Sequence, residues 1–60
     1  MRAWTSIELF RLTRGELFGL YREIVNALAA MPDSDPERRI ALANLQNIRR
    51  VLARPHLAPR

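Results

Sequence analysis

The sequence has no cysteine and no lysine, and only two glycines and four aromatic residues in 60. Without cysteine it can form no disulfide, no zinc–thiolate or iron–sulfur site and no thiol nucleophile, and the redox compartment goes unmarked. No stretch approaches the ~20 apolar residues of a membrane span. The opening Met1–Glu8 lacks the apolar core of a secretory signal, which makes the cytoplasm the default location. With 48% apolar and 27% charged residues, the composition lies away from disorder and low complexity.

What is present fits one small domain, read as residues 1–54, with 55–60 as a flexible C-terminal tail. A domain of this size buries only about 60% of the surface its unfolded chain exposes. Lacking disulfides or a metal, it would gain stability by self-association. All ten basic residues are arginine, and their placement is uneven. Residues 1–37 hold four arginines and all six acids, whereas 38–60 hold six arginines and no acid.

Three hydroxyl residues are each followed three positions later by glutamate: Thr5 and Glu8, Thr13 and Glu16, Ser34 and Glu37. This pairing satisfies the free backbone donors at a helix N-terminus. Trp4 with Leu9, and Leu12 with Leu17, stand where apolar staples fix the entry of the first two helices. The pattern predicts helices over about 5–12, 14–31 and 35–54. Pro32 and Pro55 would end the longer two.

Leu17, Tyr21, Ile24, Leu28 and Met31 fall on one wide face of the second helix. Ala41, Leu45, Ile48 and Leu52 form a narrower stripe on the third. The short connector Pro32-Asp33-Ser34 predicts antiparallel neighbours. The fold class expected is therefore all-α: a helical hairpin with a short additional N-terminal helix. Because the third helix's stripe is narrower than the face it should cover, two hairpins are expected to pair as a four-helix bundle, an isologous homodimer.

The inventory for catalysis is poor. Thr5, Thr13 and Ser34 are explained as caps, Glu8, Glu16, Asp35 and Glu37 suit first turns, and the lone His56 lies in the tail. No nucleophile has a base at a recognisable spacing, so no enzyme, catalytic residue, cofactor or metal site is expected.

Two interaction surfaces remain. The first is the aromatic N-terminal third, with Trp4, Phe10, Phe18 and Tyr21, residue types enriched at protein interfaces, although they also suit a bundle core. Gly15 and Gly19 share the side of the second helix opposite Leu17 and Ile24. A solvated mid-helix glycine costs roughly 0.5–1 kcal/mol, so close packing by the first helix or by a partner is expected at Gly19. The second surface is Arg39, Arg49, Arg50 and Arg54, which could track phosphates but also suit a solvated helix end. No aromatic lies among them for base stacking, and Asp35 and Glu37 at the start of the third helix disfavour a groove-reading helix. Arg22, Glu23 and Asn26 give the second helix a mixed polar face, unlike a membrane-surface helix. Asn44, bordering the apolar stripe, could fix register at a bundle seam or hold its amide in water.

The segments Ser6–Arg14 and Leu42–Arg54 resemble those of short uncharacterised proteins encoded among conjugative and other mobile elements of bacteria. The resemblance implies a bacterial cytoplasmic accessory or regulatory protein and transfers no catalytic residue. In fold alone, the expected hairpin dimer resembles the Rop repressor, which binds structured RNA. The reading is thus a self-associating helical protein that works by protein–protein contact with a larger partner. The alternative is binding of RNA or non-specific DNA through the arginine face.

Overall fold

Local capping decides where the helices begin. In the computed structural model, which describes residues 1–53, three helices follow in order: α1 (Ser6–Phe10), α2 (Arg14–Ala30) and α3 (Glu37–Ala53). Thr5 Oγ1 accepts from the Glu8 amide at 3.2 Å, and the Thr5 amide donates to Glu8 Oε1 at 3.0 Å. Thr13 and Glu16 repeat the exchange at 3.1 and 2.8 Å. Two successive helix starts are thereby fixed eight residues apart, and α1 ends at Phe10, short of the expected 12. Leu12 closes the intervening turn, donating to the Leu9 carbonyl at 3.1 Å.

The third helix starts differently from the expectation. Asp35, not Ser34, caps it: Asp35 Oδ1 accepts from the Glu37 amide at 2.9 Å, and Glu37 is paired with the Met1 amino group at 2.7 Å. Pro36 stands in the turn between this cap and the first residue of α3, where its fixed φ suits helix entry and its missing N–H costs nothing. At the other boundary, Met31 donates to the Leu28 carbonyl at 3.1 Å and Pro32 stops α2. The expected break at Pro55, the 55–60 tail, Arg54 and His56 lie outside the described residues.

The helices α2 and α3 pack along each other in opposite directions. Arg38 at the start of α3 donates to the Leu28 carbonyl near the end of α2 at 3.4 Å, and Phe18 and Tyr21 lie with Arg49, Leu52 and Ala53 at the other end. The core consists of Leu9, Leu17, Ile24, Ala41 and Ile48, each at most 4% exposed. Trp4, Leu12, Leu20, Tyr21, Leu28, Met31, Leu45, Val51 and Leu52 pack around it. Burying each large aliphatic side chain contributes about 1.5–3 kcal/mol, and the four of them form the centre on which the rest pack.

The central element is α3, which contacts both α1 and α2. Its buried arc is wider than the sequence suggests, because Asn44 belongs to it. Asn44 is 1% exposed, and neither of the roles expected for it, a seam between copies or an amide in water, is what it does. Its Oδ1 accepts from the Trp4 amide at 2.8 Å, and its Nδ2 donates to the Arg2 carbonyl at 2.7 Å. One turn on, Asn47 Nδ2 donates to the Trp4 carbonyl at 3.2 Å. The N-terminal segment is thus hydrogen-bonded along α3 through its own backbone. It fills one side of the α2–α3 pair, while no described residue covers the opposite side.

Candidate protein-interaction face

The five residues expected to form an interaction surface divide between the two sides of the molecule. Trp4 is half-buried against the core, with its backbone held by Asn44 and Asn47 and the Arg2 guanidinium 4.0 Å from its ring centroid. Arg2 also forms an ion pair with Glu8. The Glu8 carboxyl is held below the usual glutamate range, chiefly by the Thr5 backbone amide it accepts from, against the opposing effect of desolvation and with further lowering by Arg2. Trp4 and its neighbours therefore have a structural role. Phe10, 49% exposed, lies on the same side, beside Ser6, Arg50 and Val51.

Gly19 lies in a shallow groove with Trp4, Leu12, Glu16, Leu20 and Glu23. A methyl group added there would meet no atom within 4 Å, and one at Gly15 would meet only Thr13 Oγ1 at 3.9 Å. The expectation that α1 packs closely on Gly19 is overturned. The capping box at Thr13 sets the direction in which the chain enters α2 and carries α1 toward α3 instead.

Phe18 and Tyr21 form the other side. With Arg49, Leu52 and Ala53 they line a groove of about 340 Å³ between the start of α2 and the end of α3. Phe18 is 52% exposed and Val25, seven residues further along the same helix face, is 40% exposed. Leu42, 48% exposed, is seven residues before Arg49 on α3. Because the helices run in opposite directions, these two rows lie side by side. Val25 and Leu42 were missed as members of a surface. Each sits at the edge of its helix's apolar arc, and only the side taken by the N-terminal segment reveals which edge stays open.

The arginines of α3 are divided in the same way. Consecutive helical residues point about 100° apart, so Arg49 borders the Phe18 groove while Arg50 lies beside Phe10 on the other side. Arg39, eleven residues before Arg50, shares Arg50's side of α3, and all three are exposed. Among the described residues no three histidine, cysteine, aspartate or glutamate side chains gather to hold a metal. No helix among them is long and apolar enough to cross a membrane. No family model matches the chain, and neither a curated protein nor a solved structure matches it.

Proposed function

We propose that this chain is a non-enzymatic protein–protein interaction module, a helical hairpin braced by its N-terminal segment, whose open α2–α3 face receives a partner. One observation carries the reading: Phe18, Val25 and Leu42 stand 40–52% exposed on one face while the core beneath is closed. Large apolar side chains grouped on one face mark interaction sites more often than singly scattered ones do. A regulatory or accessory role in a bacterial cytoplasm is part of this proposal and is what the resemblance read in Ser6–Arg14 and Leu42–Arg54 implies.

Self-association through the same face, giving a four-helix bundle, is the second reading, and the small core of four large aliphatic side chains favours it. Nucleic-acid binding is less well supported, because Arg49 diverges from Arg39 and Arg50 instead of forming one stripe with them.

The test is affinity capture from a bacterial lysate with wild type beside a Phe18→Ser/Val25→Ser variant, both checked for equal melting. A protein retained by wild type and lost from the variant supports the reading. Identical retention by both overturns it. Retention of nucleic acid that falls steeply between about 50 and 200 mM salt would move the assignment to the arginines.

A further inference from the structure

At its Phe18 end the open face is bordered by arginines alone. Arg14 lies with its guanidinium 5.6 Å from the centroid of the Phe18 ring. Arg22, four residues beyond Phe18, follows on the same edge of α2, and Arg49 lines the groove from α3. Among the described residues none of these three has a carboxylate partner.

The acids of the chain lie away from the Phe18 end of this face, and most of them are already engaged. Glu8 is held by Thr5 and Arg2, Glu16 by Thr13, Asp35 by the amide of Glu37, and Glu37 by the Met1 amino group. Asp33 stands 4.0 Å from Arg38 in the connector. Glu23 is in the groove with Trp4 and Gly19, on the far side of α2. At the Leu42 end, Asp33 and Asp35 line a pocket with Leu42 and Arg38, but at the Phe18 end the apolar rows have an arginine border with no acid beside it.

We infer that the occupant of this face is an acidic amphipathic helix of a partner protein, an inference that rests on the interaction reading above. The groove runs between two antiparallel helices, a shape that accepts the apolar face of a third. Glutamates flanking that face would meet Arg14, Arg22 and Arg49. A second copy is the poorer occupant, because the acids it would bring, Asp33 and Asp35 at the Leu42 end, already serve Arg38 and the Glu37 amide, whereas a partner helix can carry free glutamates.

The experiment titrates the full chain into three fluorescein-labelled helical peptides at about 100 mM salt, following anisotropy. One carries leucines at i, i+3, i+4 and i+7 with glutamates beside them, the second has glutamine for each glutamate, and the third scrambles the first so that it has no apolar face. The expected result is binding of the glutamate peptide at least about tenfold tighter than the glutamine peptide. That preference should vanish in Arg22→Gln/Arg49→Gln, and both peptides should be lost in Phe18→Ser/Val25→Ser, with melting unchanged in either variant.

Equal binding of the glutamate and glutamine peptides overturns the acidic partner while leaving the docking face in place. Equal binding of the scrambled peptide overturns it as bare charge attraction. Sedimentation that finds a dimer of the chain, dispersed by Phe18→Ser, assigns the face to a second copy and overturns it as well. Failure of every peptide overturns the inference, and the capture experiment with Phe18→Ser/Val25→Ser then shows separately whether the face itself fails.

Discussion

The side-chain amide of Asn44 stands against Trp4 as the backbone of a neighbouring β-strand would. It accepts from the Trp4 amide at 2.8 Å and donates two residues back, to the Arg2 carbonyl, at 2.7 Å. These are the donor and acceptor that a parallel strand would satisfy on either side of Ala3. One buried side chain in a helix therefore replaces a strand in binding an extended segment.

Replacing Asn44 with leucine removes both bonds and leaves an amide and a carbonyl without partners at a half-buried position. The expected cost is about 2–3 kcal/mol, a large part of the ~3–9 kcal/mol available to a domain of this size. Urea unfolding should show a lower midpoint. Trp4 emission should shift to the red in the folded baseline as the segment is released. An unchanged midpoint would mean that the segment contributes nothing.

At the start of α3 the two candidate caps predict opposite results. Asp35→Ala should lower stability by about 1 kcal/mol and Tm by several degrees, whereas Ser34→Ala should change neither. Thermal melts of the two variants side by side decide it. A larger effect at Ser34 would restore the capping box that the sequence suggests.

Gly19 sits in mid-helix with open space around it. Gly19→Ala should therefore raise stability by about 0.5–1 kcal/mol, through the helix propensity of alanine and the reduced freedom of the unfolded chain. Binding at the Phe18 face should be untouched, since Gly19 is on the other side of α2. Weakened association in this variant would mean that a partner also approaches Gly19.

Glu8 links stability to acid. Its carboxyl is held below the ordinary glutamate value in the folded chain, first by the Thr5 amide and then by Arg2, so the unfolded chain binds a proton more readily. The contribution is therefore present above the unfolded value of about 4.3 and is lost as pH falls through and below it. Urea midpoints measured from about pH 6 down to 2.5 should decline less steeply in Glu8→Gln, which keeps an oxygen for the Thr5 amide without the titration. Parallel curves for the two proteins would remove Glu8 as a source of the acid sensitivity.

The parts of this fold that could be read from the sequence are those whose cause is local. Thr5 with Glu8, and Thr13 with Glu16, are three residues apart, and each box determines its helix start irrespective of the rest of the chain. Asp35 was legible too, since Pro36 marks the helix entry and thus its predecessor as the cap, but Ser34 offered a competing pattern at the same spacing. Asn44 was not legible, because the groups it binds are forty residues away and belong to the backbone, which carries no side-chain signature. The open face followed from the same gap. Phe18, Val25 and Leu42 become neighbours on a free surface only once the N-terminal segment is known to cover the other side.

The position of α3 between the other two elements also sets the order in which the chain can fold. Residues 2–4 emerge from the ribosome well before Asn44 and Asn47, and Leu9 emerges well before Ala41 and Ile48. Until then α1 has only a slight contact with α2, and α2 exposes Leu17, Ile24 and Phe18 together. Local helix starts form early, but closure waits for a contact spanning some forty residues, an unusually long reach for a helical protein of this size. Closure of the core therefore waits for α3 to be complete. The nascent chain presents its widest apolar surface just before that point, when a chaperone would have most to hold.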